Sequence, residues 1–312
     1  MRASDRAAII LAGGEGTRLR TLTRALSGDD RPKQFCAVLG GETLLGRTRR
    51  RVAKLVPPSQ TAVVLTRTHQ RFWGPAIDAI PSSMLVVQPE GRGTAPAILY
   101  ALMRLRALGP TAPVAIFPSD HWFSDDDGFM AAVATAYDAV ETLSSAVVLL
   151  GLPPDRPEPQ YGWIEPGEPL PGPWALREVN RFVEKPSRET AERLFTAGGL
   201  WNAFVLIGQR WALLDLFREA TPELMAAFAP LRAELGTPDE ASAARLAYLG
   251  IPSVDFSRSV LQTRSSGLAV LPVNDVAWND LGDPVRVRAT LARARVVDDA
   301  GVTSETMAGA HP

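Results

Sequence analysis

Five strand-length runs, residues 7–11, 61–66, 84–88, 114–117 and 146–150, are dominated by consecutive apolar residues without alternation. A strand with one wet face alternates apolar and polar side chains, so runs without alternation must be covered on both sides. Helical stretches at 43–55, 69–80, 95–108 and 129–143 lie between them and can supply that cover. Strand and helix in turn predict βαβ units around a mainly parallel sheet, an α/β fold with helices on both faces. A chain of 312 residues has room for one large domain of this kind and a modest annex.

The rhythm changes after Gly151. Residues 152–173 are crowded with Pro and Gly around the phrase Tyr161-Gly162-Trp163-Ile164-Glu165. A strand at 176–183, a helix opening at Ser187 and an apolar run at 204–207 follow. Helical patterns are expected at 211–219, 223–234 and 240–249, strands at 254–260 and 268–273, and a last helix at 284–294. Residues 298–312 are small and polar and are expected to fray.

Charge excludes some partners. Thirty-three Lys and Arg against 34 Asp and Glu leave a net charge of −1, which provides no overall field for a nucleic acid or an anionic membrane. Small phosphorylated ligands are still allowed, since they need only a local cluster of cations. One cysteine cannot form an intramolecular disulfide or a cysteine-based zinc site, which predicts a reducing setting. The apolar run at 7–11 is too short for a signal peptide, and no later stretch approaches the ~20 apolar residues of a membrane span. The expectation is a soluble, cytoplasmic protein.

The first strand leads directly into Leu11-Ala12-Gly13-Gly14-Glu15-Gly16-Thr17-Arg18-Leu19-Arg20. Glycines at 13, 14 and 16 uncover backbone N–H groups and let the chain pass close to a phosphate. Arg18 adds a forked cation suited to phosphate oxygens. A Walker-type loop would need Gly-Lys-Ser/Thr, but Gly16 is followed by Thr17 and Arg18. A dinucleotide loop would need glycine at position 19, which is Leu. A plain strand-to-helix turn needs one glycine and no arginines. Downstream, Arg31-Pro32-Lys33-Gln34-Phe35 offers a second pair of cations beside a stiffening proline.

Together, Gly-Gly-x-Gly-Thr-Arg-Leu and Pro-Lys-Gln-Phe resemble the signature of the sugar-1-phosphate nucleotidyltransferases, with wording nearest the mannose-1-phosphate guanylyltransferase branch. Further phrases carry the likeness in order along the chain: 90–98, 118–121, 161–165, 182–186, Trp201-Asn202, 253–256 and 278–282. The resemblance implies a Rossmann-like nucleotidyltransferase domain over residues 1–296, with a nucleotide half at 1–150, a sugar-phosphate half with a lid-like region at 151–296, and a flexible tail at 297–312. Within that span there is no room for the fused isomerase or β-helix domain some relatives carry. It also implies transfer of a nucleotidyl group from a nucleoside triphosphate, GTP in the nearest branch, to a sugar 1-phosphate, there mannose 1-phosphate, with release of pyrophosphate. Assembly is left open, a homodimer included.

That chemistry asks for charge neutralisation, in-line positioning and a metal, because the attacking phosphate oxygen is already anionic. No nucleophilic side chain is required, which suits a chain without a Ser-His-Asp set. By resemblance, Asp120 and Asp280 are the Mg2+ ligands, with Arg18, Lys33 and Lys185 as catalytic cations. Asp120 follows a strand, where parallel sheets present ligand-facing residues; that placement favours the metal role over the plainer one of a cap on the next helix. Leu11, Ala12, Gly13, Gly14, Gly16, Thr17, Gln88, Gly93 and Thr94 fall on the nucleotide side. A base or ribose is expected to approach the helix entered at Thr94-Ala95-Pro96. Tyr161, Gly162, Glu184, Lys185, Asn202 and Asp255 fall on the sugar-phosphate side.

Other residues have plainer expectations. His121 contacts substrate or holds its loop, His69 is a surface cap, and Cys36 is a packed small residue. Trp163, Trp201 and Trp278 wall the pocket. Several positions depart from the family pattern. Glu15 stands where a small hydroxyl residue is usual and needs a partner such as Arg18 or Arg20. Arg20 and Gly93 replace a usual tryptophan and a frequent asparagine. The Glu-Lys pair expected after Asp255 is missing, with Arg258 as a substitute clamp. The family chemistry with a thymidylyl, uridylyl or adenylyl donor, and a non-catalytic regulatory paralogue, are the alternatives.

Overall fold

The computed structural model describes residues 6–264 and 266–293. The tail expected at 297–312, and Ala294 at the end of the last expected helix, lie outside these residues. Strands follow in chain order as β1 Ala7–Leu11, β2 Thr61–Thr66, β3 Leu85–Gln88, β4 Pro113–Pro118, β5 Trp122–Phe123, β6 Val147–Leu152, β7 Gly162–Pro169, β8 Arg177–Glu184, β9 Leu200–Gln209, β10 Leu268–Pro272 and β11 Trp278–Asn279. The α-helices are α1 Arg20–Ser27, α2 Leu44–Val52, α3 Thr94–Arg104, α4 Asp126–Thr142, α5 Arg188–Thr196, α6 Arg210–Ala220, α7 Pro222–Ala227, α8 Ala229–Glu234, α9 Glu240–Leu249 and α10 at 284–293.

Nine strands form one sheet in the order β3-β2-β1-β4-β9-β6-β10-β8-β7, and β5 and β11 pair in a separate ribbon. The half expected to be parallel is so: β1 lies between β2 and β4, parallel to both, and β2 is parallel to β3. The second half adds antiparallel strands, with β9 running against both β4 and β6. The mixed sheet is therefore continuous across both halves of the sequence.

Unbroken apolar runs are explained by two cores, one on each face. Ala7 and Ile9 of β1 face one core while Ala8 and Ile10 face the other, and β6 divides the same way between Val147/Leu149 and Val148/Leu150. A third, smaller cluster joins Leu19 and Cys36 after the glycine loop to Trp122, Leu281 and Val287. Its apolar contacts bring residues 281–287 back beside the loop at 19–36. Cys36 is buried there as a packed residue, with its sulfur 3.0 Å from Ser27 Oγ. None of the described helices is long and apolar enough to cross a membrane.

Several expectations about the fold need correction. Residues 69–80 form short 3-10 turns, Arg67–Phe72 and Gly74–Ala76, rather than an α-helix. Gly74 turns left-handed at φ 37° and Pro75 lacks an N–H, so a helix cannot run through them. The stretch 223–234 breaks into α7 and α8 at Phe228, two residues before Pro230. Residues 254–260 are not a strand: Val254 spends its backbone bonds on Arg92 and Ala95, and Ser257–Leu261 winds as a π-helix. Conversely β7 forms inside the Pro- and Gly-rich stretch, absorbing Pro166 with shifts of register against β8. His69 is 4% exposed rather than a surface cap, with Nε2 3.2 Å from Glu15 Oε1.

Candidate functional site

The carboxyl ends of β1 and β4, the glycine loop, the start of α3, the β7–β8–β9 ends and the return at β11 surround one cleft of about 590 Å³. Of the residues singled out from sequence, Leu11, Gly13, Gly14, Gly16, Thr17, Arg18, Lys33, Gln88, Gly93, Thr94 and Asp120 line it on one side. Tyr161, Gly162, Glu184, Lys185, Asn202, Asp255 and Asp280 line it on the other. Ala12 does not: it is fully buried, with its N–H bonded to the Val64 carbonyl. Arg258 is exposed and does not itself line the cleft, although its charge acts on Glu184.

Buried polar groups hold the glycine loop in shape. Gln34, 1% exposed, donates its Nε2 to the Ala12 carbonyl at 3.0 Å and to the Gly14 carbonyl at 2.8 Å. Gly16 is left-handed at φ 60°, and a Cβ there would sit 3.1 Å from the Lys33 backbone nitrogen. A Cβ on Gly13 would lie 2.7 Å from both Gln88 Nε2 and Thr66 Oγ1. Thr66 donates to the Gly13 carbonyl at 3.0 Å, and the buried Tyr248 hydroxyl bonds Gln88 Oε1 at 3.0 Å. Among the described residues Arg18 has no ion pair or hydrogen bond, and it is exposed at the cleft mouth. Glu15 meets Arg20 at 3.6 Å as well as His69.

Access to the start of α3 is narrower than its small residues suggest. The Val254 carbonyl takes the Ala95 N–H at 3.1 Å, and the Phe256 N–H donates to Thr94 Oγ1 at 2.8 Å. Gly93 lets this strap approach: it is left-handed at φ 85°, and a Cβ would fall 2.3 Å from the Val254 carbonyl oxygen. The cleft still reaches Gly91, Thr94 and Ala97 beside the strap.

On the opposite side, Gly162 leaves room for Glu184, whose Oε2 would lie 2.8 Å from a Cβ at 162. Lys185 Nζ is 3.0 Å from Glu184 Oε1, and its backbone takes the left-handed region at φ 49°. Burial pushes the Glu184 carboxyl above its usual range, the Lys185 ammonium offsetting only part of that. Asn202 Oδ1 accepts from the Phe204 N–H, and Asp255 accepts from the Arg258 N–H at the strap. Trp278 faces the cleft, whereas Trp163 and Trp201 are packed behind Tyr161 and do not line it.

Lys33 joins the two acids across the cleft. Its Nζ is 3.1 Å from Asp120 Oδ2, 2.7 Å from the Asp280 carbonyl and 3.1 Å from the Leu281 carbonyl. Asp120 is not needed as a cap, because Asp125 accepts the Asp127 and Gly128 N–H groups at the start of α4. Burial pushes the Asp280 carboxyl up, but His121, Arg286, Lys33 and the Gly282 N–H together hold it below the usual carboxylate range. His121 is held below its usual value chiefly by burial, and its Nδ1 accepts the Trp278 indole N–H at 3.1 Å.

Gln34, Thr66, Tyr248 and Arg286 were not assigned structural roles from sequence. A signal existed only for Gln34, inside the Pro-Lys-Gln-Phe phrase. The others act through partners far along the chain.

A glycine loop, cations and two aspartates thus share one cleft at the strand ends. The sequence profile of the nucleotidyl transferase family matches residues 7–287, and the chain belongs to that family. It is 33% identical over 287 residues to the xanthan biosynthesis protein XanB of Xanthomonas campestris, covering 89% of this chain and 58% of that protein. It is 29% identical over 284 residues to the mannose-1-phosphate guanylyltransferase of Escherichia coli, covering 88% and 57%. A solved structure from Thermus thermophilus, described as a mannose-1-phosphate geranyltransferase, superposes with a TM-score of 0.75 at 33% identity, covering 89% of this chain and 76% of that one. The chain thus spans little more than half the length of the two curated relatives.

Proposed function

We propose that this chain transfers guanylyl from GTP to mannose 1-phosphate, releasing pyrophosphate, with magnesium as cofactor. The observation that carries it is the single cleft in which the glycine loop with Arg18 and Lys33 faces the Glu184–Lys185 pair, with Asp120 and Asp280 between. The name of the Escherichia coli relative supports the choice of sugar and nucleotide, and that of the Thermus thermophilus structure supports the sugar.

Magnesium takes hard oxygen ligands, a few from protein carboxylates and the rest from phosphates and water. Asp120 and Asp280 are that type of donor, and both line the cleft; the Lys33 ammonium bonds the Asp120 carboxylate and, at Asp280, the backbone carbonyl, which leaves the Asp280 carboxylate to other partners. By donor chemistry the pair suits the ion. When bound, it supplies charge neutralisation for the reacting phosphates.

The chain's own groups do the rest. The glycine loop N–H groups and Arg18 hold the triphosphate, and Lys33 exchanges its carboxylate and carbonyl partners for phosphate oxygens. Lys185 holds the phosphate of the sugar 1-phosphate, and Glu184 accepts a sugar hydroxyl. An anionic oxygen of that phosphate attacks the α-phosphorus, a new P–O bond forms, and the bond to the β-phosphate breaks to release pyrophosphate. No base is needed, in keeping with a buried His121 whose Nδ1 is occupied by Trp278.

The test is pyrophosphate release with several sugar 1-phosphates crossed against GTP, ATP, UTP, CTP and dTTP. Turnover should be fastest with GTP and mannose 1-phosphate and collapse in Asp120→Ala. Turnover only with UTP or dTTP and glucose 1-phosphate would reassign the donor and sugar. Silence with every pair, together with unaltered nucleotide binding by Asp120→Ala and Asp280→Ala, would leave a binding protein rather than an enzyme.

A further inference from the structure

We propose that Arg286 is a positioning residue whose buried guanidinium fixes the Asp280 carboxylate so that one of its two oxygens is anchored and the other is offered to the cleft. The inference rests on the proposed metal role of Asp280.

Arg286 is 7% exposed and lies in the first turn of α10. That turn is held by Asp283, whose Oδ1 accepts the Val285 and Arg286 N–H groups. From this fixed base the guanidinium spreads over three acids. Nη1 lies 3.0 and 3.1 Å from the two Asp280 oxygens, Nη2 is 3.1 Å from Glu158 Oε2, and Nε is 3.2 Å from Asp283 Oδ2. Its face stacks on the Tyr161 ring at 4.4 Å, and the Tyr161 hydroxyl donates to Asp280 Oδ1 at 3.3 Å.

The result is asymmetric. Oδ1 of Asp280 takes Arg286, Tyr161 and the Gly282 N–H, while Oδ2 takes Arg286 alone. Oδ2 is the oxygen with lone-pair capacity left over. A buried cation among acids is a poor device for raw stability, since desolvation offsets most of its attraction. Its distinctive product here is a carboxylate that cannot rotate. Lysine has one point charge and no planar fork, so it cannot hold the three acids and the ring together.

Arg286→Gln, Arg286→Lys and Glu158→Gln in the full chain test this by two readouts: kcat and KM for GTP with mannose 1-phosphate, and Mn2+ binding in the presence of GTP followed by electron paramagnetic resonance. For Arg286→Gln we expect kcat and Mn2+ affinity each to fall about 10- to 100-fold, the range for groups that orient metal ligands, with KM for GTP little changed. Arg286→Lys should recover only part of the loss. Combined with Asp280→Asn, Arg286→Gln should add almost nothing, because both remove the same oriented carboxylate.

A lowered melting temperature with unchanged kcat and Mn2+ affinity, or losses that add to those of Asp280→Asn, would overturn the proposal. If Arg286→Gln does not fold, Glu158→Gln decides: a smaller loss of Mn2+ affinity supports the clamp and no loss refutes it. Should the wild type release no pyrophosphate with any pair, the transfer reaction fails, yet Mn2+ binding with GTP still judges Arg286. A wild type that binds no Mn2+ with GTP overturns the clamp itself.

Discussion

The two walls of the cleft are built by different means. The glycine loop is held mainly from the next loop along, where Gln34 bonds the Ala12 and Gly14 carbonyls, with Thr66 adding one bond to the Gly13 carbonyl. The facing wall is assembled at long range: Lys33 reaches the Asp280 carbonyl 247 residues away, and Tyr161 reaches Asp280 across 119. A local wall depends on backbone shape and fails when a side chain fills a glycine's space. A long-range wall depends on charge balance and fails when one partner of a network is removed.

Lys33 belongs to both walls, so its loss should have the largest effect. Lys33→Ala removes the cation from Asp120 and from two backbone carbonyls, and in the proposed reaction it also removes a phosphate ligand. We expect kcat to fall on the order of a thousandfold, as for loss of one preorganised transition-state donor. Steady-state pyrophosphate release measures it. A drop of only a few-fold would mean that the two walls work independently.

Next in size is the join between the strap and the start of α3. Gly93→Ala would force a Cβ into the Val254 carbonyl in a left-handed conformation. It should cost at least about 2 kcal/mol in chemical denaturation, from the backbone conformation and the clash together. Gly14→Ala is the control on the same wall. A Cβ there meets nothing within 4 Å, so stability should hardly move. Equal losses in both variants would show that the strap does not govern Gly93.

Tyr248→Phe should have a smaller effect. It removes the hydroxyl bonded to Gln88 Oε1 and leaves that buried acceptor unpaired, costing about 1–3 kcal/mol of stability. Gln88 Nε2 packs against Gly13, so KM for the nucleotide should rise more than KM for the sugar phosphate. A rise confined to the sugar phosphate would put Gln88 on the wrong wall.

The same contrast explains what could be read from the sequence. The parallel half and the glycine loop were legible because each depends on residues close together in the chain. Apolar runs without alternation announced a sheet covered on both faces, and Ser187 marked the start of α5. Ala12 was misread as facing the cleft because a motif does not show which of its residues turn inward. The strap at 254–256 was misread as part of a strand because its hydrogen bonds go to Arg92, Thr94 and Ala95, a pairing that no local pattern encodes. Arg286 carries no local signal in the sequence. Only folding gathers Glu158, Tyr161, Asp280 and Asp283 around it.

The smallest effects concern pH, where two carboxylates of the long-range wall are pulled in opposite directions. Burial raises Glu184, so the folded state favours its neutral form. Its contribution to stability is fully present below the ordinary value of 4.5 and is lost as pH rises through the raised folded value. Against burial, cationic neighbours depress Asp280, whose contribution is present above the ordinary 3.8 and is lost as pH falls through the lower folded value. Glu184→Gln should therefore gain stability relative to wild type as pH climbs out of the acid range, then hold that gain. Asp280→Asn should show its stability deficit at neutral pH, with the deficit shrinking as pH falls below 3.8. Denaturation midpoints of both variants and wild type across this range measure the two slopes. Slopes of the same sign would mean that one of the two carboxylates is not held as its neighbours dictate. For catalysis the sign for Glu184 is the reverse: the ionised form accepts the sugar hydroxyl, so KM for the sugar phosphate should rise as pH falls through the raised value, while KM for the nucleotide stays level.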